Sequence, residues 1–128
     1  MNQYLLNTNF YGNLNRLVGK TITGISAGEG TYYPLNEKER PPQIVPEIYI
    51  SIEDHSLTIS NKIIFKKNTE SINIFSGKKI KNIVETKDEI KITTEDENWF
   101  IVDLREEAYS GPEAMSLHGP DNFLFVWN

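Results

Sequence analysis

Apolar and polar residues alternate with a period of two through much of the chain. This period is typical of half-buried β-strands, because successive side chains point to opposite faces of a pleat. In the segment EIYISIED, Ile48, Ile50 and Ile52 share one face. Their spacing predicts a strand, and the polar trio at 54–56 predicts the turn that ends it. Further short strands are predicted at 57–59, 62–66 and 71–75.

The stretch KKIKNIVETKDEIKITTEDENWFIVDLREE predicts three antiparallel strands joined by short polar turns. The strands are expected near 80–84, 90–92 and 99–104, with turns at 87–88 and 95–98. In the third strand the alternation places one set of side chains in the core, namely Phe100, Val102 and Leu104. The other set should face outward or towards a partner, namely Trp99, Ile101 and Asp103.

The N-terminal third is less regular. Residues 3–17 are compatible with one short helix, and residues 18–27 read as a strand that ends at the sequence Gly-Glu-Gly, residues 28–30. Residues 28–46 contain four prolines, which disfavour a central strand or a helix, so a long proline-rich loop is predicted there. Loops of this length are often functional, and Tyr32 and Tyr33 make this one a candidate contact loop.

The segment SGPEAMSLHGPDNFLFVWN predicts a closing hairpin, with strands near 115–118 and 123–127 and a turn at 119–122. The return strand is apolar on both faces, so an internal position in the sheet is expected. The predicted fold class is mainly β, or β-rich α+β: an antiparallel meander of seven to nine strands forming a sandwich, a partial barrel or a strongly bent sheet. At most one or two short helices are expected, within a single domain covering residues 1–128.

Composition narrows the function classes. The 128 residues include no cysteine, which excludes disulfides, thiolate metal sites and a cysteine nucleophile. No apolar run reaches 18 residues and no signal peptide is evident, so a cytoplasmic protein is expected, with no membrane partner. The net charge is −5 and is unevenly distributed. Residues 62–81 hold six lysines and one acid, a net +5, whereas residues 82–128 hold eleven acids and three bases, a net −8.

Candidate catalytic chemistry is sparse. Asp54, His55 and Ser56 are the residue types of a catalytic triad, but consecutive residues on a strand point to opposite faces, so turn chemistry is the preferred interpretation. A hydrolase that uses His118 with Asp121 requires the two to converge in a pocket. The prediction is therefore no enzyme, no metal site and no cofactor. A nucleic-acid surface at 62–81, with Phe65 and Phe75 as stacking platforms, is a further alternative, disfavoured by the acidic overall charge.

Several residues carry a resemblance that spans the chain. They are LVGKTITGI at 17–25, Val-Asp-Leu at 102–104, Tyr109, Gly-Pro-Glu-Ala at 111–114 and the terminal Val126-Trp127. The chain resembles small bacterial immunity proteins of contact-dependent growth inhibition and other polymorphic toxin systems. The resemblance implies a non-catalytic protein that neutralises a cognate toxin, with a basic nuclease domain as the expected partner and no role for nucleic acid. Within the motif, Gly111-Pro112 is interpreted as a structural corner.

Because nuclease active sites are basic, an acidic surface is the expected counterpart, and charge complementarity also speeds association. The acidic turns and nearby aromatic residues are the candidate partner-binding set: Asp88, Glu89, Glu95, Asp96, Glu97, Trp99, Glu106, Glu107, Tyr32 and Tyr33. A non-catalytic accessory or structural interaction module without a toxin partner is the alternative. The oligomeric state stays open.

Overall fold

The computed structural model describes residues 10–32, 42–66 and 71–128. Within these ranges the chain forms nine strands: β1 (Ile22–Tyr32), β2 (Gln43–Ile52), β3 (His55–Ile59), β4 (Ile63–Phe65), β5 (Ile80–Glu85), β6 (Glu89–Thr94), β7 (Trp99–Asp103), β8 (Met115–His118) and β9 (Leu124–Trp127). Three short 3-10 helices cover Phe10–Leu17, Ile72–Phe75 and Glu106–Ala108. These 3-10 turns are the only helical elements of the described ranges, which agrees with the prediction of few and short helices.

The strands build two antiparallel sheets, which confirms the predicted mainly β fold. The five-stranded sheet has the order β1-β2-β3-β8-β9, and the four-stranded sheet has the order β4-β7-β6-β5. The sheets are linked where β1 begins, because Thr21 bridges to Lys79 and the Ile22 amide donates to the Lys78 carbonyl over 2.8 Å. The arrangement is a β-sandwich joined along part of one side.

The core lies between the inner faces of the two sheets. Ile50, Leu57 and Leu117 from the five-stranded sheet are fully buried and belong to the same cluster as Ile92 and Phe100 from the four-stranded sheet. This cluster forms because the period-two alternation gives each strand one apolar face, and two such faces exclude water from each other. The predicted meander at β5–β7 is present, with Phe100 and Val102 in the core as expected.

The chain passes from one sheet to the other between β3 and β4. Ser60 and Asn61 donate their amides to the Ala114 carbonyl, and Lys62 donates to the Ala108 carbonyl. Because β3 ends at Ile59, the first half of β2, residues 43–47, pairs with β1 alone. The divergence leaves a notch between this half of β2 and the β3–β4 connection.

The predicted bounds of the long loop, 28–46, are wrong at both ends, because strand residues occupy them. β1 continues through Gly28 and Gly30 to Tyr32, and β2 begins at Gln43. Pro46 fits within β2 because that part of the strand pairs on one side only, so a missing amide on the other side breaks no ladder hydrogen bond. The remaining residues, Tyr33–Pro41, lie outside the described ranges.

Residues 71–75 form a 3-10 turn instead of the predicted strand. The side chain of Ser71 caps the helix by accepting a hydrogen bond of 3.1 Å from the Asn73 amide. Phe75 points into the core and meets Phe100 edge to face, with ring centroids 4.9 Å apart. A local cap therefore overrides the β-branched composition of this segment.

The C-terminal hairpin is present, but β9 is the edge strand of its sheet and not an internal one. Its turn contains Asp121 and Asn122 with φ of 61° and 63°. The apolar content of β9 has another cause: Phe125 and Trp127 face the core, while Leu124 is 55% exposed. Trp127 Nε1 also donates to Glu85 Oε2 over 2.7 Å, which links β9 to the edge of the other sheet.

Candidate functional site

Acidic residues gather at one end of the four-stranded sheet. The Leu104 amide donates to the Asp88 carbonyl over 2.9 Å, which brings the β5–β6 turn against the segment that follows β7. The resulting acidic end, as we name it, contains five carboxylates: Asp88, Glu89, Asp103, Glu106 and Glu107. Lys87 and Arg105 are the basic residues within these same segments, which leaves a net charge of −3.

Asp103 and Arg105 organise this end. Asp103 lies on the outer face of β7, as predicted, but it is buried there, and its carboxylate accepts hydrogen bonds from the Arg105 amide, Nε and Nη2. The Arg105 side chain lowers the pKa of Asp103 to about 2, so the pair stays ionised. Arg105 Nη1 also lies 3.5 Å from Glu107. Asp88, Glu89 and Glu106 have no ion-pair partner among the described residues.

The second predicted acidic turn, residues 95–97, differs in its electrostatics. Lys78 lies 3.4 Å from Asp96, and Lys81 forms an ion pair with Glu97. Asp96 also accepts a hydrogen bond of 2.6 Å from Thr94 Oγ1, which lowers its pKa to about 2. The lysine-rich and acidic segments of the sequence thus neutralise each other here. Glu95 is exposed and carries no such partner among the described residues.

The two acidic turns are also far apart. They lie at opposite ends of β6, which at about 3.4 Å per residue puts roughly 20 Å between them. Within the described residues, the two acidic turns therefore do not join into one patch. The acidic end keeps its negative charge, and the 95–97 turn loses most of its charge to lysines.

The outer face of the four-stranded sheet carries an apolar strip, built from residues of three strands with a lysine on the fourth. The register places Ile64 beside Ile101, Ile101 beside Lys91 and Lys91 beside Val84. Ile64 is 36% exposed and Val84 is 48% exposed. Trp99 lies on the same face, half-buried, with Lys91 Nζ 4.7 Å from its ring centroid.

This strip adjoins the acidic end. Glu89 pairs with Asp103 on β7. Glu89 also lies two residues from Lys91 on β6, so Glu89 and Lys91 share the outer face of the sheet. The outer face therefore combines an apolar centre with an acidic edge. A partner with an apolar patch bordered by basic residues would be complementary to it.

Tyr32 contributes to a different cluster, on the outer face of the five-stranded sheet. Its hydroxyl donates to Glu47 Oε2 over 2.9 Å, and Tyr49 donates to Glu47 Oε1 over 2.9 Å. Ser60 Oγ donates to Oε2 over 3.1 Å. Burial, followed by the contact with Glu47, raises the pKa of Tyr32. Tyr33 lies outside the described residues.

The sequence analysis did not identify the buried Glu47 carboxylate, although the sequence Gly-Glu-Gly at residues 28–30 was a signal of it. A Cβ on Gly30 would lie 2.7 Å from the Glu47 carboxylate, and one on Gly28 would lie 2.7 Å from the Tyr49 ring. The sequence Gly-Glu-Gly therefore reflects close packing within a strand and not a strand end.

The candidate catalytic residues do not assemble into a triad. His55 begins β3 and is buried, and its Nδ1 lies 2.7 Å from Oδ1 of the adjacent Asp54. Gly119 closes over the other edge of the ring, and the described residues offer His55 Nε2 no hydrogen-bond partner. His118 and Asp121 are both exposed at the β8–β9 hairpin.

Within the lysine-rich segment, residues 62–81, Phe75 is fully buried and Phe65 packs against the core. Phe75 is therefore unavailable for stacking on bases. Across the described ranges, no group of three or more His, Cys, Asp or Glu side chains is arranged to hold a metal ion, and no helix has the length and hydropathy to cross a membrane.

No protein-family model matches the chain, and comparisons with curated proteins and with solved structures give no significant match. The resemblance to immunity proteins consequently rests on the residues quoted above.

Proposed function

We propose that this chain is an immunity protein that binds a cognate bacterial toxin stoichiometrically and blocks its action in the cytoplasm. The proposed partner is a basic, nuclease-like toxin domain. The observation that carries the proposal is the outer face of the four-stranded sheet, where the apolar strip adjoins the acidic end. The sequence resemblance supports the same class of protein. Such a function needs no cofactor and no catalytic residue in this chain.

The carboxylates and the apolar residues of this face would have different roles in binding. Uncompensated carboxylates at the acidic end attract a basic surface at long range and raise the association rate by about 10-fold to 1,000-fold. The apolar strip then loses its contact with water when the partner docks. Trp99 is the expected anchor, because buried aromatic residues dominate the binding free energy of protein interfaces.

The proposal assigns the candidate residues unequal roles. Asp88, Glu89 and Glu106 provide the uncompensated charge, and Arg105 offsets part of the charge of Glu107. Glu97 and Asp96 are engaged by lysines, so they contribute little attraction, and Asp96 serves the turn. Tyr32 holds the Glu47 cluster together.

Co-purification tests the function directly. The tagged protein is expressed with the gene encoded beside it, and the retained material is analysed for stoichiometry and for toxicity of the partner alone. A stable one-to-one complex with a basic domain that is toxic without this chain is the expected result. A harmless neighbour that does not bind contradicts the proposal and favours the accessory module.

A matched pair of variants tests the surface. Charge reversal at the acidic end (Asp88→Lys with Glu106→Lys) should slow association by about tenfold at low salt, because it changes the local charge by four units. Reversal of Glu29 with Asp121, both exposed, changes the net charge equally at other places and should leave the rate within about twofold. Equal slowing by the two pairs would indicate a net-charge effect and no defined surface.

A further inference from the structure

The first strand of the five-stranded sheet has a long edge with no strand beside it among the described residues. β1 covers 11 residues, Ile22–Tyr32, and pairs with β2 on one side. On the other side only its beginning is occupied, because the Ile22 amide donates to the Lys78 carbonyl and the Gly77 amide donates to the Ile22 carbonyl. A bulge follows, and along residues 24–32 the described chain places no strand on that side.

The other three sheet edges carry features that discourage pairing with another chain. β4 is three residues long and β9 is four, and β5 has a bulge and Lys81 within its six residues. Short strands, bulges and lysines are the usual means by which proteins protect sheet edges. Over residues 24–32, β1 contains no lysine, arginine or proline, and Glu29 is its single charged residue. Of the four edges, this one is therefore the most open to an added strand.

The hairpin between β2 and β3 shows which backbone groups of β1 face the open edge. Its loop has two residues, so the flanking Ile52 and His55 bond to each other, and the residues of β2 that bond to β3 alternate from there. Ser51 and every second residue down to Gln43 therefore bond towards β1, and the Ser51 carbonyl accepts a 3.2 Å hydrogen bond from Thr23 Oγ1. The residues of β1 opposite them use their backbone groups for β2. The residues in between direct their amides and carbonyls to the open edge: Ile25, Ala27, Glu29 and Thr31.

The backbone groups of these four residues form a row of donors and acceptors. The Tyr49 hydroxyl lies 3.5 Å from the Glu29 carbonyl, but the same hydroxyl donates to Glu47 Oε1 over 2.9 Å. A carbonyl oxygen has two lone pairs, so that of Glu29 can accept an amide hydrogen bond as well. Such a row is a template for one more antiparallel strand.

We propose that this edge pairs with the same edge of a second copy of the chain, in antiparallel orientation, with Gly28 on the two-fold axis. Ile25 then lies opposite Thr31 of the second copy, and Ala27 lies opposite Glu29. All four edge-facing residues take part, and each pair exchanges two backbone hydrogen bonds. The two five-stranded sheets join into one continuous sheet. Two-fold symmetry buries the same surface on both subunits, so the edge must be complementary to itself.

The outer-face side chains of β1 are complementary in this register. Opposing residues on this face belong to the pairs that are not hydrogen-bonded, whose Cα atoms lie about 4.5 Å apart. Such pairs have little room for two large side chains. Gly24 lies opposite Tyr32 of the second copy, and Ser26 lies opposite Gly30. Each larger side chain on this face therefore meets a glycine.

Charge also favours this register over its neighbours. Glu29 lies opposite Ala27, so no carboxylate stands directly opposite another. A two-fold axis on Glu29 would place the two carboxylates in direct opposition, which is destabilising. An axis on Ala27 would put Thr31 opposite Thr23, within the bulge, and would lose the hydrogen bonds of that pair.

The dimer goes beyond the proposed function and leaves its surface free. β1 belongs to the five-stranded sheet, whereas the apolar strip and the acidic end belong to the four-stranded sheet and the segments beside it. Each dimer therefore presents two copies of the proposed toxin-binding surface.

Sedimentation equilibrium and amide hydrogen exchange test the dimer on the unmodified chain. Between about 1 and 500 µM the protein should change from monomer to dimer with a Kd on the order of 10 µM, since one added strand makes a small interface. Over the same range, exchange at the amides of the four edge-facing residues should slow by about tenfold. A protein that is still monomeric at about 500 µM, or a dimer in which these amides exchange as fast as in the monomer, overturns the proposal.

Two substitutions at Ala27, which is exposed, test the register by the sign of their effects. Ala27→Lys places an ammonium group opposite Glu29 in both symmetry-related pairs and should tighten the dimer about fivefold. Ala27→Glu places a second carboxylate there and should weaken the dimer about fivefold. Asn82→Lys and Asn82→Glu make the same charge changes at an exposed position of β5 and should leave the Kd within about twofold.

The outcomes are distinct. Equal effects at residues 27 and 82 would indicate a net-charge effect and overturn the assignment to β1. Weakening by Ala27→Lys overturns the axis at Gly28. Protection of the four amides only when a different protein binds assigns the edge to that partner and overturns the dimer. The exchange measurement needs no substitution, so the proposal stays testable even if a variant fails to fold.

The dimer and the immunity function can fail separately. A toxin complex formed by a monomeric chain refutes the dimer and supports immunity. A dimer whose neighbouring gene product neither binds nor kills refutes immunity and supports the pairing of β1.

Discussion

Gly30 lies on β1 directly against the Glu47 carboxylate, and its substitution gives the sharpest test of the packing described here. In Gly30→Ala the new Cβ would lie 2.7 Å from three carboxylate atoms of Glu47, closer than non-bonded atoms approach. The carboxylate must then move away. When it moves, it leaves the hydroxyls of Tyr32, Tyr49 and Ser60, which hold it at 2.9 to 3.1 Å.

The magnitude follows from what is lost. A hydrogen bond to a charged group contributes about 1.5–3 kcal/mol, and displacement of the carboxylate breaks at least one of the three. Residual crowding adds about 1 kcal/mol, and the general preference for Ala over Gly within a strand returns about 0.5–1 kcal/mol. The free energy of unfolding should therefore fall by about 2–3 kcal/mol, which corresponds to a decrease in Tm of roughly 8–10 °C for a domain of this size.

Gly24→Ala is the matched control. Gly24 lies on the same strand, and the nearest atom to its added Cβ would be Ser51 Cβ at 4.0 Å, an ordinary contact. This variant should be neutral or more stable by up to about 1 kcal/mol. Urea unfolding followed by tryptophan fluorescence measures both variants, and unchanged m-values would show that the comparison concerns the folded state.

A double-mutant cycle makes the reasoning refutable. In a Glu47→Ala background the obstacle to a Cβ at residue 30 is gone, so Gly30→Ala should cost nothing, and the coupling free energy should be about 2–3 kcal/mol. If Gly30→Ala costs the same in both backgrounds, or falls within about 0.5 kcal/mol of Gly24→Ala, the contact with Glu47 does not govern this position.

Three further predictions concern the core and the titrating carboxyl groups. Phe75→Ala should lower the free energy of unfolding by about 3–5 kcal/mol in urea titrations, because it empties a fully buried site against Phe100. The folded protein lowers the pKa of Asp96 from 3.8 to about 2, so Asp96 contributes to stability above pH 3.8 and loses that contribution as the pH falls towards 2. Asp96→Asn should therefore flatten this part of an acid-unfolding curve. Burial raises the pKa of Glu85 above 4.5, so the fold loses stability as pH rises from 4.5 through the raised value; Glu85→Gln should remove that loss in thermal melts across pH. An unchanged pH profile in either variant would show that another group titrates there.

The sequence predicts the strands well wherever one face is apolar and the other polar. β2 and the β5–β7 meander follow the alternation of isoleucine with polar residues, and their turns carry polar residues at the expected places. This works because the pattern reports burial directly. The alternation does not distinguish an edge strand from an interior strand. β9 is an edge strand, and it is nevertheless apolar because its side chains contact the core and Glu85 of β5.

The candidate site was only partly predictable, because charge compensation is a long-range property. Lys81 on β5 and Lys78 just before that strand pair with acids of the 95–97 turn. Nothing in the local sequence of the turn indicates that pairing. The Glu47 cluster joins residues from β1, β2 and the end of β3, so it required the register of the sheet. By contrast, Trp99 was placed on the outer face correctly from alternation alone.

The pairing of β3 with β8 has a consequence for the rate of folding. Ser56 pairs with His118, so this ladder closes a long stretch of chain, whereas β5, β6 and β7 pair with their immediate neighbours. Local hairpins form within microseconds, and non-local pairing must first overcome the entropy of closing the loop. The meander should therefore acquire structure early, with its apolar inner face awaiting the second sheet. Slow completion of the five-stranded sheet would then set the time for which that face is exposed to aggregation or to a chaperone.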